Sequence, residues 1–285
     1  MQTRELRGLE SGWIELGEEH HPILLMIHGY PDTPLVWEYQ TRHFAKSFQV
    51  ICPFVRGEGP SKGSRDLRRF GVRSQSLDFL QMLKEIDPSG ERPVYLVGHD
   101  LGAVHAWNLA PLIGPRLKGL VIFNGLSLLQ MLQKLKSPRQ HLRSWYIYGM
   151  QLPWLPGFIT RRFPERLARF AYDLGQLPNE KRPEVAADSL SVPLKQYRAF
   201  LRDMLRQARQ PQRPLSAPVL VVWGERDPFF NNLSVKDFEG FADNVTVRCL
   251  PKGHWVFREE PEQVNRLLEN FFWQDPTGGH DAPHS

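Results

Sequence analysis

The fold of this chain is decided by one stretch of its sequence, Pro93-Val94-Tyr95-Leu96-Val97-Gly98-His99-Asp100-Leu101-Gly102-Ala103. An apolar, β-branched run ends here in a Gly-x-Asp-x-Gly motif, and a helix-forming segment follows directly. The pattern predicts a strand, a tight turn and a helix, which is the form of a nucleophile elbow. Glycine is needed on both sides because a Cβ atom there would collide with the adjoining strand or helix. The residue exposed at such a turn is usually Ser, whereas here it is Asp100.

Apolar runs and helix-forming segments alternate on both sides of this turn. The runs are continuous rather than alternating, which is typical of strands buried on both faces. The 285 residues suffice for one large α/β domain with an insertion. We therefore predict an α/β fold whose mostly parallel sheet is covered by helices on both faces. The predicted strands are residues 22–27, 49–52, 93–98, 117–123, 218–223 and 245–250, with a weaker one near 13–16, and the predicted helices include 34–48, 73–86, 103–112 and 260–273.

The alternation stops at Asn124 and resumes near residue 215. The intervening segment is rich in Arg, Leu and aromatic residues, contains no apolar strand run, and is divided by prolines into short helical pieces. We therefore predict that residues 1–125 and 215–275 form the two parts of the α/β core, with residues 126–214 inserted as an all-helical cap. The polar, Gly- and Pro-containing residues 276–285 are predicted to be a disordered tail.

The positive charge of the chain is concentrated in this predicted cap. The whole chain has a net charge of +5, but residues 126–214 contain 16 Lys and Arg against 6 Asp and Glu. A solvated helix face is the simpler interpretation, because Arg198, Arg202, Arg206 and Arg209 recur at helical spacing. Contact with a membrane surface or an acidic partner is the alternative. No nucleic-acid-binding motif accompanies the charge, so we expect no nucleic acid partner.

The sequence also indicates the cellular location of the protein. No apolar run reaches about 18 residues, and the N-terminus lacks the apolar segment of a secretion signal. The only cysteines, Cys52 and Cys249, lie in strand-like runs and are expected to be buried, reduced thiols. These features predict a cytoplasmic protein. Its oligomeric state stays open between a monomer and a homodimer.

Three residues whose side chains could take part in catalysis each follow a predicted strand, in the order Asp100, Asp227, His254. Ligands of open α/β sheets bind beyond the carboxyl ends of the strands, so we expect these side chains to converge. A carboxylate is ionised at neutral pH and can displace a leaving group at a saturated carbon without a base. His254 would then activate water to attack the resulting ester, and Asp227 would orient His254.

The ester intermediate and the leaving group each need hydrogen-bond donors. The backbone N–H groups of Leu101 and Tyr30 are the predicted oxyanion donors. A departing epoxide oxygen needs O–H donors, and the predicted cap offers Tyr146 and Tyr197. From the residues alone, packing within the cap remains the simpler interpretation of both tyrosines. The chain contains no His, Cys or carboxylate cluster with metal-ligand spacing, so we predict neither a metal nor an organic cofactor.

With these motifs the chain resembles an epoxide hydrolase of the α/β-hydrolase superfamily, from about residue 13 to residue 273. The resemblance implies that two cap tyrosines donate hydrogen bonds to the epoxide oxygen. Tyr146 matches the first position, with Tyr148 as a shifted alternative, and Tyr197 matches the second. The matching segments are His28-Gly29-Tyr30-Pro31, Gly98 to Ala103, Trp223-Gly-Glu-Arg-Asp227, Gly253-His254-Trp255, Tyr146 to Gln151 and Tyr197-Arg198.

The resemblance implies hydrolysis of a small apolar epoxide to a vicinal diol, with water as the second substrate. Two alternatives stay open. A haloalkane or haloacid dehalogenase would use the same Asp nucleophile, but relatives of that kind bind halide through a Trp after the nucleophile and an Asn after His-Gly. Leu101 and Tyr30 occupy those places here. A non-catalytic binding protein of the same fold is the second alternative. The substrate-binding residues that we predict are Trp145, Tyr148, Trp154, His28 and Pro31.

Overall fold

Eight strands form a single sheet at the centre of the molecule in the computed structural model, which describes residues 1–183, 193–207, 209, 213–230 and 235–273. The strand order is β1-β2-β4-β3-β5-β6-β7-β8. Strands β3 to β8 run parallel, whereas β1 and β2 join by antiparallel pairing. The strands are β1 (Gln2–Leu6), β2 (Leu9–Leu16), β3 (Ile23–Ile27), β4 (Gln49–Pro53), β5 (Val94–His99), β6 (Leu117–Phe123), β7 (Val219–Gly224) and β8 (Val245–Leu250).

Helices cover both faces of this sheet, as predicted. Successive residues of β3 pack into different clusters, with Ile23 and Leu25 on one face and Leu24 and Met26 on the other. The described α-helices are α1 (Glu38–Phe44), α2 (Val72–Ile86), α3 (Leu101–Ile113), α4 (Leu128–Lys134), α5 (Pro138–Arg143), α6 (Trp145–Gly149), α7 (Leu155–Arg162), α8 (Pro164–Leu174), α9 (Pro193–Gln207), α10 (Val256–Glu259) and α11 (Pro261–Phe272). Helices α2 and α3 pack on the first face, and α1 and α11 pack on the second.

Between β6 and β7 every regular element within the described residues is helical. Two of these helices anchor the segment to the core. Met204 of α9 belongs to the cluster of one sheet face and Tyr172 of α8 to that of the other. The carboxylate of Asp203 on α9 also accepts a hydrogen bond from the Val72 backbone N–H at the start of α2, at 2.7 Å. The cap limits of 126 and 214 remain a prediction, and the predicted tail at 276–285 lies outside the described residues.

The fold differs from the sequence-based expectations at three places. Strand β1 was not predicted; it pairs with β2 through a turn at Arg7 and Gly8, whose φ angles of 51° and 78° are those of a tight hairpin. The helix predicted over 34–48 is a 3₁₀-helix, Pro34–Trp37, followed by the short α1. Cys249 is exposed rather than buried, because β8 is the edge strand of the sheet.

Within the part of the chain that the structure describes, no helix is both long and apolar enough to cross a lipid bilayer.

Candidate active site

Asp100 lies at the turn between β5 and α3, in a backbone conformation that side chains rarely adopt. Its φ and ψ angles are 51° and −118°. The flanking glycines are required as predicted, because a Cβ atom on Gly102 would lie 2.1 Å from the Ile27 carbonyl oxygen. A Cβ atom on Gly98 would lie 2.7 Å from the Cα atom of Ala103. The turn thus holds the Asp100 side chain away from both elements that it connects.

One of the two predicted oxyanion donors already bonds to the Asp100 carboxylate. The Tyr30 backbone N–H donates to Asp100 Oδ2 at 3.0 Å. Leu101 is the first residue of α3, so its N–H has no acceptor within that helix. A negatively charged oxygen on Asp100 would therefore have the Tyr30 N–H in place as one donor. The N–H of the next residue, Leu101, is free of helical bonding and could serve as the second.

His254 and Asp227 meet Asp100 at the carboxyl end of the sheet. His254 Nδ1 lies 2.7 Å from Asp227 Oδ2, and His254 Nε2 lies 3.9 Å from Asp100 Oδ1. The second distance is too long for a direct hydrogen bond. The imidazole is therefore oriented by Asp227, with its free nitrogen directed toward Asp100.

The environment of His254 favours its protonated form. Burial alone lowers the pKa of the imidazole, but the carboxylate of Asp227, supported by that of Asp100, raises it above the ordinary value for histidine. A proton on His254 is thus stabilised by the negative charge of Asp227, and by that of Asp100 whenever Asp100 is ionised.

Asn124 is a site residue that the sequence analysis missed. It follows β6 with a φ angle of 37°, and its Nδ2 donates to Asp227 Oδ2 at 2.6 Å. Its Oδ1 accepts from the Gly224 backbone N–H at 2.9 Å. The other Asp227 oxygen accepts the backbone N–H groups of Phe229 and Phe230, at 2.7 and 3.2 Å. Both oxygens of Asp227 are therefore held, which fixes the carboxylate against His254.

Tyr146 and Tyr197 extend from α6 and α9 toward the same site. Their rings meet edge to face with centroids 6.0 Å apart, and Tyr30 contacts the Tyr197 ring at 6.2 Å. Burial raises the pKa of both hydroxyls well above the ordinary tyrosine value. The negative charge of Asp100 adds to this increase in the pKa of each. Both side chains are thus kept as neutral phenols that can donate hydrogen bonds.

Tyr148 lies on the opposite side of α6. Its hydroxyl is 2.7 Å from His141 Nδ1, and 43% of the residue is exposed. Two residues of a helix differ by about 200° in direction, so Tyr146 and Tyr148 cannot face the same site. The geometry places Tyr146, and not Tyr148, beside Asp100.

A cavity of about 510 Å³ lies between the core and the cap. Its lining is mainly apolar, and the polar groups at its base come from four of the five residues predicted to carry the chemistry, together with Tyr30. Such a lining is typical of sites for small apolar molecules. The residues that form this base are Asp100, His254, Tyr146, Tyr197 and Tyr30, with Asp227 behind His254.

Of the five residues predicted to bind substrate, Trp145 lines the cavity and four do not. Trp154 is 72% exposed on the outside of the cap, and Tyr148 faces His141. Pro31 is buried beside the elbow, outside the cavity lining. His28 is also buried, where Nε2 lies 2.9 Å from the carboxylate of Glu58. These corrections arise because the sequence placed residues by their neighbours along the chain, whereas the lining depends on which way each side chain points.

Asp32, also missed, connects the cap to the loop that carries His254. Its carboxylate accepts hydrogen bonds from the Tyr172 hydroxyl of α8 at 3.0 Å and from Trp255 Nε1 at 2.8 Å. His99 lies between, with Nδ1 3.5 Å from Asp32 and Nε2 3.2 Å from the His254 carbonyl oxygen. The sequence signal that could have identified Asp32 is its position directly after His-Gly-Tyr-Pro.

Within the described ranges, no group of three or more His, Cys, Asp or Glu residues is arranged to hold a metal ion.

Comparisons with known proteins agree with this architecture. A family model described as the alpha/beta hydrolase fold matches residues 22–261. Epoxide hydrolase 3 of Mus musculus is 26% identical over 286 aligned residues, covering 95% of this chain and 76% of that protein. Epoxide hydrolase 4 of Homo sapiens is 24% identical, covering 94% of this chain and 77% of that protein. A crystal structure of Bacillus megaterium epoxide hydrolase in complex with an inhibitor has a TM-score of 0.79 at 23% identity, covering 95% of this chain and 99% of that one.

Proposed function

Because the chain belongs to the α/β-hydrolase fold family, we propose that it hydrolyses an epoxide to a vicinal diol through an ester formed on Asp100. The names of the mouse and human relatives support this proposal. The observation that carries it is the placement of two neutral tyrosine hydroxyls, from the buried Tyr197 and the half-buried Tyr146, in the cavity whose base contains the Asp100 carboxylate. An O–H donor suits a departing epoxide oxygen.

Ring opening is the first step. Asp100 Oδ2 is held by the Tyr30 N–H, which leaves Oδ1 to attack an epoxide carbon. The new bond joins Oδ1 to that carbon while the carbon–oxygen bond of the ring breaks. Tyr146 and Tyr197 donate hydrogen bonds to the departing oxygen and supply the proton that makes it a hydroxyl. The product of this step is a hydroxyalkyl ester of Asp100.

Ester hydrolysis is the second step. His254 takes a proton from water, and the resulting hydroxide attacks the carbonyl carbon of the Asp100 ester. The backbone N–H groups of Tyr30 and Leu101 stabilise the oxyanion, and the bond from the Asp100 carbonyl carbon to the alkyl oxygen then breaks. Protonated His254 returns its proton to the leaving alkoxide, which completes the diol. Asp100 is released as a carboxylic acid that carries one oxygen and one proton from water. That proton passes to the deprotonated tyrosine, which restores both groups.

The origin of the diol oxygen tests this route. With enzyme in excess over styrene oxide in water enriched in heavy oxygen, we expect the first diol to lack the label and the Asp100 peptide to acquire it. A labelled diol in the first turnover would mean that water attacks the epoxide directly, and the ester route would be wrong.

Two variants isolate the intermediate. The His254→Gln variant should retain ring opening and accumulate an ester on Asp100, visible by mass spectrometry of the intact protein. The matched Asp100→Asn variant should accumulate none under the same conditions. If several epoxides yield no diol while a haloalkane releases halide, the protein is a dehalogenase instead.

A further inference from the structure

The exposed side chains of residues 142–174 are strongly apolar, both at the mouth of the cavity and on the outside of the cap, and we call the surface that they form the outer cap surface. Of the 18 large hydrophobic residues exposed among the described residues, 11 lie in this segment of α5 to α8. Single exposed apolar residues are common on proteins, but a concentration of this kind marks a surface that meets an apolar partner. The most exposed are Leu142 at 76%, Trp154 at 72%, Trp145 at 59% and Phe158 at 58%.

This surface follows from the helical pattern of α7. Pro156 and Thr160 are buried and line the cavity, whereas Leu155, Phe158 and Ile159 are exposed. The exposed positions recur at three and four residues, so they form a stripe along one side of the helix. An apolar stripe on the outside of a helix is the arrangement found in segments that lie in a membrane interface.

Arginine side chains lie beside the apolar ones. Arg161, Arg162, Arg166 and Arg169 are all exposed, and the guanidinium groups of Arg162 and Arg166 lie 5.3 and 5.6 Å from the centroid of the Phe163 ring. Asp173, one of two acidic residues in α7 and α8, is paired with Arg182. Exposed apolar groups bordered by cationic ones complement a bilayer with anionic headgroups.

The cavity opens onto this surface. Leu142, Leu155 and Ile159 are exposed to solvent and also line the cavity that contains Asp100. The same holds for Trp145, Leu152 and Phe170. A continuous apolar path therefore leads from the outer cap surface to the candidate nucleophile.

We propose that the outer cap surface binds to anionic lipid bilayers, with the cavity mouth against the membrane, so that lipophilic substrates enter from the bilayer. A second copy of the chain is a poorer occupant, because pairing two such surfaces would bring their arginines together. The docking itself is independent of the reaction, whereas the route of substrate entry rests on the proposed epoxide hydrolysis.

Co-sedimentation of the full chain with lipid vesicles tests the docking. We expect the fraction bound to phosphatidylcholine vesicles to increase about tenfold when phosphatidylglycerol is added, and to decrease at high salt. The Trp154→Glu/Phe158→Glu double variant changes two exposed residues outside the cavity lining, and its binding should fall about tenfold or more. Arg161→Glu/Arg166→Glu should reduce binding to anionic vesicles only.

A matched control uses an exposed leucine elsewhere. Leu16, in β2, is 40% exposed, and Leu16→Glu should leave vesicle binding unchanged. Circular dichroism of each variant verifies that it is folded. Equal binding of the parent chain and the Trp154→Glu/Phe158→Glu variant, or no binding of the parent chain, would overturn the proposal. A dimer in sedimentation velocity that is lost in the same variant would assign the surface to a second copy instead.

The outcomes for docking and for function are separable. Sedimentation needs no turnover, and hydrolysis of a water-soluble epoxide needs no membrane. Absence of vesicle binding with intact hydrolysis would contradict docking alone. Binding without hydrolysis of any epoxide would contradict the proposed function and the entry route while leaving the docking in place.

Discussion

The core half and the cap half of the candidate site are held in position by different means. In the core, hydrogen bonds fix each carboxylate: Tyr30 holds Asp100, and Asn124 holds Asp227. In the cap, Tyr146 and Tyr197 are placed by packing of their rings against each other and against Phe229 and Tyr30. The charged groups are therefore preorganised by the loops that follow the strands, while the O–H donors depend on how the cap helices pack.

The largest expected effect is in the core half. Asp227→Asn removes the negative charge that orients and stabilises His254, so turnover should fall about 10³- to 10⁴-fold. Ester formation should be affected less, because Asp100 attacks without a base. Steady-state and single-turnover kinetics distinguish the two steps. The same substitution at the exposed Asp243 serves as the control and should leave both rates unchanged; an equal loss in the two steps would contradict the assignment of Asp227.

Replacing a glycine by alanine should destabilise the protein in the core half of the site but not in the cap half. An Ala side chain at Gly102 would meet backbone oxygen atoms of Ile27 and His28, so Gly102→Ala should reduce the free energy of unfolding by about 3 kcal/mol. Gly149 at the end of α6 has nothing within 4 Å of a Cβ atom. Gly149→Ala should therefore change stability little or increase it by up to about 1 kcal/mol. Urea denaturation of both variants measures the difference, and similar values would show that the elbow tolerates a side chain.

The same contrast explains what the sequence could predict. The elbow was recognisable because the positions of Gly98 and Gly102 follow from local sterics. Asp227 and His254 followed from the parallel arrangement of β7 and β8, since the ends of such strands meet at one edge. These conclusions need only local sequence and the order of the strands, and the structure brings the three side chains together as expected.

Other features depend on information that the sequence pattern does not contain. Asn124 holds Asp227 because β6 and β7 are neighbouring strands and because the φ angle of Asn124 is positive. No sequence motif predicts either feature. The choice between Tyr146 and Tyr148 depends on the rotation of α6, and each residue turns a helix by about 100°. Trp154 could not be placed because both the inside and the outside of the cap are apolar.

The cap half can be examined by removing one hydroxyl at a time. Tyr146→Phe and Tyr197→Phe should each slow ester formation about 10²-fold, because one donor to the departing oxygen is lost. Hydrolysis of the ester should be unaffected, since the tyrosines act on the other bond. Tyr148→Phe is the matched control, with the same substitution on the opposite side of α6, and should react at the parent rate. A larger loss in Tyr148→Phe than in Tyr146→Phe would reverse the assignment.

The smallest expected effect is a displacement of pH dependence that links the two halves. His254 must be neutral to activate water, and its pKa is raised by Asp227 and Asp100 against the opposing effect of burial. Ester hydrolysis should therefore decline as the pH falls through a midpoint above that of an ordinary histidine. In the ester, Asp100 has no charge, so the increase in the pKa of His254 depends mainly on Asp227, with a smaller contribution from Asp32, and Asp227→Asn should move the midpoint to lower pH. His43→Gln alters an exposed histidine paired with Glu269 and should leave the midpoint in place. The rate of ester decay after rapid mixing, measured across pH, gives the midpoint for each protein. A midpoint that Asp227→Asn does not move would mean that another group limits hydrolysis.

The same increase in the pKa of His254 also affects folding. Protonated His254 contributes stability that is present below the pKa of the unfolded chain and is lost as the pH rises through the pKa of the folded protein.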